Sequence, residues 1–257
     1  MRIQQIVCHN SLRNVNYLII DDENKECLCI DPFDPKLIQD ELRAQGLKLK
    51  AIINTHEHWD HTKGNEDLKS SEAAEVWTGE GLRSIPADRY FKDQEGFEFS
   101  KKQCVFYETP GHTMGHVSLG VLSDQGEIQD LFCGDTLFNA GVGNCHNGGN
   151  PDVLYETYRS FFKALNDDVK VYPGHDYVEH NLNFAKERDP SNTEIDQLKE
   201  SLKNRATDEV PIFDMGTERK VNPFLRLDSK EIRKNLGPNI SNEKEAFLAL
   251  RLLRDKW

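Results

Sequence analysis

The stretch Thr55-His56-Glu57-His58-Trp59-Asp60-His61 places three of the chain's nine histidines within six residues, directly after the apolar run Ala51-Ile52-Ile53. If the backbone is still extended at residues 56 to 58, alternate side chains share a face, so His56 and His58 reach the same point in space. A turn into a helix at Asp60-His61 sends those two side chains toward a second point close by. One short loop then supplies half of two metal coordination spheres. Such a loop needs a rigid strand behind it, and α/β scaffolds place their ligands on loops at the ends of core strands.

Four donors do not fill two first-row metal sites, so further ligand-type residues are expected in similar settings. Gly111-His112-Thr113-Met114-Gly115-His116 follows a strand candidate ending at Thr109, Gly134-Asp135-Thr136 follows Leu131-Phe132-Cys133, and Pro173-Gly174-His175 follows the run 169–172. Each repeats one order: strand, small residue, ligand-type residue. In an extended segment Glu57 points away from its neighbours and reads as solvated or as an outer partner without a catalytic role. His116 reads as a loop-orienting hydrogen-bond partner rather than a ligand. His9, His146 and His180 are weaker candidates as ligands.

Composition sets the frame for this site. With 257 residues, 37% hydrophobic and 30% charged, the chain is one large domain or a main domain with a smaller partner, not a disordered segment. A formal charge of −12 argues against nucleic acid and anionic membranes as partners. No apolar run approaches the ~18 residues of a spanning helix and the N-terminus lacks a secretion signal, so a cytoplasmic location is expected, with a monomer as the default. The six cysteines (8, 27, 29, 104, 133 and 145) form no C-x-x-C pair and read as reduced core thiols. Cys27 and Cys29 share a face if extended, and read as two small buried residues rather than a soft metal pair.

Short apolar runs at 3–7, 15–20, 27–30, 51–53, 76–78, 105–109, 117–122, 131–133 and 169–172 predict strands. Asp34 as N-cap, Pro35, an apolar stripe of Leu37, Ile38 and Leu42, and Gly46 as stop predict a helix; another follows Asn150-Pro151 to about residue 165. After Tyr177 the strand signals stop. Ser191-Asn192-Thr193-Glu194 has capping-box spacing ahead of Ile195, Leu198 and Leu202, and 243–257 predicts a helix carrying Phe247, Leu250 and Leu253. The chain therefore divides into a mixed α/β part, 1–176, and a helical part, 177–257.

With these motifs in place, the sequence resembles the metallo-β-lactamase superfamily, whose H-x-H-x-D-H is met by His56, His58, Asp60 and His61. Within it the chain is most similar to glyoxalase II, the hydroxyacylglutathione hydrolases, through T-H-x-H-W-D-H at 55–61, G-H-T-x-G-H at 111–116, G-D-T-L-F at 134–138, Y-P-G-H-x-Y at 172–177 and N-P-F-L-R at 222–226. The resemblance implies an αββα sandwich, α/β in class, with a small C-terminal all-helical domain that binds substrate. It implies that His56, His58 and His112 hold one metal, that Asp60, His61 and His175 hold a second, and that Asp135 bridges both. Two divalent ions per chain follow; all donors are N or O, which fits zinc, with iron or manganese as alternatives. The implied chemistry is attack of a metal-bridging hydroxide, positioned by Asp60 and Asp135, on the thioester of an S-2-hydroxyacylglutathione such as S-lactoylglutathione. Alternatives are a glutathione persulfide dioxygenase with one iron, a hydrolase of another thiol's thioester, and a metal-binding protein without turnover.

For glutathione itself, the family pattern maps onto Tyr177 and onto Arg251 and Arg254, which share a helix face at i and i+3. The loop after Asp135 departs from it: Asn144 and His146 stand where Lys and Tyr are expected. A lost charge-assisted hydrogen bond costs ~1.5–3 kcal/mol, so glutathione thioesters are expected to bind about ten- to a hundredfold less tightly than in typical relatives, or another thiol carrier is preferred.

Overall fold

Strands β1 (Arg2–Val7), β2 (Val15–Asp21), β3 (Glu26–Ile30), β4 (Lys48–Asn54), β5 (Glu75–Gly79) and β6 (Arg89–Phe91) form one sheet in that order in a computed structural model that describes residues 1–257. The first three pair antiparallel, and β3 to β6 run parallel. Helix α1 (Pro35–Gln45) makes the crossover from β3 to β4; the short α2 (Trp59–Thr62) and α3 (Asn65–Glu72) make the next. Parallel neighbours require such crossovers, which puts helices on the sheet's outer face. Asp34 caps α1 by accepting from the Lys36 and Leu37 amides, and Gly46 ends it at φ 63°. Ile38 and Leu42 face the core, but Leu37 is exposed, so the predicted stripe is narrower by one residue.

The second sheet contains β7 (Gly96–Phe99), β8 (Lys102–Glu108), β9 (Val117–Leu122) and β10 (Ile128–Gly134). A separate hairpin, β11 (Leu137–Phe138) with β12 (Gly141–Val142), interrupts it; β13 (Lys170–Pro173) and β14 (Phe213–Asp214) then complete the order β14-β13-β10-β9-β8-β7. Alternation along β10 and β13 explains the layers. Phe132 and Tyr172 stack at 4.8 Å, and both meet Tyr17 of the first sheet edge-on at 5.5 Å. Their neighbours Leu131, Cys133 and Val171 belong to a second apolar cluster with Phe184, Phe224 and Phe247 from the C-terminal helices. The result is an αββα sandwich whose outer core runs without interruption into the helical part.

Helix α4 (Pro151–Ser160) precedes β13 and packs against the helical part, which comprises α5 (Val178–Arg188), α6 (Thr193–Leu202), α7 (Met215–Val221), α8 (Lys230–Leu236) and α9 (Glu243–Arg254). Several sequence expectations are corrected. Helix α4 stops at Ser160, a 3-10 turn at Phe162–Ala164 follows, and α9 ends at Arg254. Asn192, not Ser191, caps α6, its side chain accepting from the Glu194 amide. Strand signals do not end at Tyr177, because Phe213-Asp214 adds an edge strand beside β13; two residues are too few for a period-two pattern to register. Five cysteines are buried and unpaired, Cys27 and Cys29 among them, and Cys145 is partly exposed. No helix is long and apolar enough to cross a membrane.

Candidate metal centre

Four strand ends deliver the ligand-type residues to one rim of the sandwich. His56, His58, Asp60 and His61 follow β4, His112 follows β8, Asp135 follows β10 and His175 follows β13. The loops are stitched together by backbone bonds: the Val117 amide donates to the Thr55 carbonyl and the Gly174 amide to the Gly134 carbonyl, both at 2.8 Å. The recurring small residue has a steric cause. Gly134 is left-handed at φ 47°, and a Cβ there would overlap the Thr55 hydroxyl; a Cβ on Gly174 would lie 2.5 Å from Asp135 Oδ1.

Three groups of donors converge: one triad of His56, His58 and His112, a second of Asp60, His61 and His175, and Asp31-His56-His61, which joins a histidine from each. Within the first, His58 Nδ1 lies 3.1 Å from His56 Nε2 and 3.0 Å from His112 Nε2. Within the second, the His61 and His175 Nε2 atoms are 3.1 Å apart. Asp135 stands between them, with Oδ1 3.4 Å from His61 Nε2 and Oδ2 3.2 and 3.6 Å from the Nε2 atoms of His175 and His112. Its buried Oδ1 has no hydrogen-bond donor.

The outer ring nitrogens are all occupied, which settles which nitrogen points inward. His112 Nδ1 donates to the Asn144 carbonyl at 2.7 Å and His175 Nδ1 to the Leu12 carbonyl at 2.7 Å. His58 Nε2 lies 3.0 Å from the Asn147 carbonyl, so Nδ1 is its free nitrogen. His61 Nδ1 meets Asp31 Oδ2 at 3.0 Å, and His56 Nδ1 meets the Thr55 hydroxyl, which itself donates to Asp31 Oδ2 at 2.6 Å. Inward-facing nitrogens with no donor between them, a donorless buried carboxylate oxygen and a purely N/O set are what a pair of divalent cations fits.

Electrostatics divide the histidines. Burial holds the His56 imidazole well below its ordinary pKa and lowers that of His112, keeping both neutral as ligands must be. Burial also opposes a charge on His61, but Asp135, Asp31 and Asp60 outweigh it and lift His61 to about 9. Burial acts against ionised Asp135 as well, yet His175 and His61 hold its carboxyl well below the usual range. Three carboxylates converging on one buried imidazole make a strong cation site.

Several supporting residues carried no sequence signal that singled them out. Asp31 accepts from the Thr55 amide (2.8 Å), the Thr55 hydroxyl and His61. Asn14 donates to Asp60 Oδ2 at 3.1 Å and to its carbonyl at 3.2 Å. Asp31 ends strand β3 as Asp135 ends β10, the one hint available, but without the preceding glycine. Replacing Asp31 with asparagine puts an amide donor against existing donors, and zinc affinity is expected to fall about 10- to 100-fold in a competition with a chromophoric chelator; unchanged affinity would refute the role. His116 has both nitrogens engaged, accepting from the Asp135 amide at 3.2 Å and meeting the Thr109 hydroxyl at 2.9 Å. Glu57 accepts from the Thr113 hydroxyl at 2.8 Å and so ties two ligand loops together rather than standing free in solvent.

Beside the triads lies a cavity of about 230 Å³ lined by Phe138, Val142, Asn144, His146, Tyr177, Arg251, Arg254 and Asp255. Tyr177 stacks on His175 with ring centroids 5.0 Å apart. The arginine pair divides. Arg251 is only 5% exposed, and Nη1 donates to the Val142 and Gly143 carbonyls at 2.8 and 3.0 Å while Nε and Nη2 donate to Asp255 Oδ1. Arg251 thus spends its donors on the Val142 and Gly143 carbonyls and on Asp255, although it also lines the cavity. Arg254 makes one such bond, to Asn181 Oδ1 at 3.1 Å, and is the cation left to the cavity. Asn144 and His146 are exposed at its mouth, with His146 Nε2 3.2 Å from Asp255 Oδ1.

A sandwich of this topology with donors on its strand-end loops defines a metallo-beta-lactamase-fold protein, and the profile of the metallo-beta-lactamase superfamily matches residues 11–175. The crystal structure of the BLEG-1 B3 metallo-beta-lactamase superposes with a TM-score of 0.66 at 19% identity, covering 88% of this chain and 100% of that one, a likeness of fold. The profile of the hydroxyacylglutathione hydrolase C-terminus matches residues 176–257. Hydroxyacylglutathione hydrolases of Nitrosococcus oceani and of a Polaromonas species are 36% and 37% identical over the full length of both chains. The chain belongs to the hydroxyacylglutathione hydrolase family.

Proposed function

We propose that the protein hydrolyses the thioester of S-2-hydroxyacylglutathiones, of the S-lactoylglutathione type, to a 2-hydroxy acid and glutathione. The observation that carries this reading is the match to hydrolases of that name over the whole chain, helical part included. In this reading His56, His58 and His112 would hold one divalent ion and Asp60, His61 and His175 a second, with Asp135 available to both. Such ions supply Lewis acidity and lower the pKa of water toward neutrality. Asp60 and Asp135 orient the attacking water, Asp135 through the oxygen that lacks a protein donor. Tyr177 and Arg254 bind the glutathione moiety, with Asn144 and His146 lining the same cavity. A thiol leaves as thiolate with a pKa near ~8.5, which removes the need for a general acid.

The test is thiol release from S-lactoylglutathione by protein of known metal content, beside thioesters of other cellular thiols. Turnover with two ions per chain, lost on chelation, is the expected result; a protein holding two ions that cleaves only another carrier's thioester would overturn the assignment. Arg254→Ala is expected to raise KM for the glutathione thioester about ten- to a hundredfold with kcat little changed, the signature of a lost charge-assisted contact remote from the reacting bond.

A further inference from the structure

The turn between β11 and β12 lies just beyond Asp135, and beyond the hairpin's own pairing of Phe138 with Gly141 its polar groups are met by side chains from the C-terminal helices. Asn181 of α5 donates to the Asn139 carbonyl at 3.0 Å, Asn222 to the Gly141 carbonyl at 3.0 Å, and Arg251 of α9 to the next two carbonyls. The one amide in the set, that of Ala140, donates to both oxygens of Glu218 on α7 at 3.0 and 3.1 Å. Ala140 is left-handed at φ 57°, a conformation disfavoured for a residue with a Cβ. Glu218 is wholly buried, and its only other partner is Asn222 Nδ2 at 2.8 Å; no lysine, arginine or histidine pairs with it. Burial pushes its carboxyl up to about 8, against the pull of the Ala140 and Asn222 donors. A buried acid held in such a place with no cation beside it calls for a reason.

The turn's two ends supply one. Asp135 precedes it, and the carbonyl of Asn144, just past it, receives the Nδ1 proton of His112. Gly143 packs so closely beneath this point that a Cβ there would lie 2.8 Å from His112 Nδ1. We propose that Glu218 is a positioning residue for the metal centre: by holding the left-handed Ala140 it sets the β11–β12 turn and, through it, the orientation of His112 and Asp135. The inference rests on the ligand assignment proposed above but not on the identity of the substrate.

The test uses the full chain and zinc or cobalt(II) alone. Glu218→Gln leaves one acceptor oxygen where Glu218 takes three hydrogen bonds on two, so zinc retention against a chromophoric chelator is expected to weaken about 10- to 100-fold, with a changed cobalt(II) d–d spectrum. Adding Ala140→Gly, which makes the left-handed conformation free of steric cost, is expected to return part of that retention; no return would overturn the route through the turn. Ile195→Val, a buried change in α6, serves as the stability control and is expected to retain zinc as the wild type does. If Glu218→Gln does not fold, Glu218→Asp carries the test, with a smaller loss expected. Wild-type retention and spectrum in a folded variant, or an equal loss in the control, overturns the proposal. None of these readings involves a thioester, so a failure of hydroxyacylglutathione turnover would strike the proposed function and leave this inference standing.

Discussion

Asp135→Asn is expected to lower thioester hydrolysis at least about 10²- to 10³-fold, the cost of removing one preoriented charge from a water-excluded site, and to release metal as well. Asp135 contacts both triads, through Oδ1 to His61 and through Oδ2 to His112 and His175. The amide keeps the shape but halves the acceptor capacity and turns a donor toward imidazole nitrogens that already face inward. Elemental analysis together with steady-state turnover on the same preparation checks it. A variant with two ions and full activity would mean that the bridging assignment is wrong.

Phe247→Ala is expected to destabilise the fold by about 3–5 kcal/mol, read from urea unfolding. Phe247 is fully buried, and its ring meets Tyr155, Tyr158 and Phe224 at centroid distances of 5.6, 5.3 and 5.3 Å. These contacts join α9 to α4 and to the turn at Pro223–Leu225, so no flexible neighbour is free to fill the space. The effect should reach the site, because Tyr158 donates to the carbonyls of Thr136 and Gly141. A loss below about 1 kcal/mol would show that the helical part does not share the core described here.

The ligand loops were legible because their signal is local. A strand, a glycine and a histidine or aspartate stand within a few residues of one another, and the glycine's cause, close approach of a neighbouring loop, is one that sequence order can announce. The strands were legible for the same reason, as short apolar runs such as Leu131-Phe132-Cys133. What was not legible involves partners far apart in the chain. Asp31 clamps Thr55 and His61 from 24 and 30 residues away, and Glu218 holds Ala140 from 78. Arg251 shows how the same limit misleads: its helical spacing to Arg254 is real, yet which carbonyls its donors meet depends on a turn 108 residues earlier.

From its residue order alone this chain determined its inventory of nitrogen and oxygen donors, the strand ends that carry them and the faces that must be buried, since these follow from side-chain chemistry and from backbone periods of two and 3.6 residues. Only the tertiary structure decided which imidazole nitrogens keep an outer hydrogen-bond partner, which arginine is spent on backbone carbonyls and which buried carboxyls hold neighbouring loops. Those outcomes turn on hydrogen-bond partners, and a buried donor or acceptor takes whatever partner the packing of distant segments brings within about 3 Å of it.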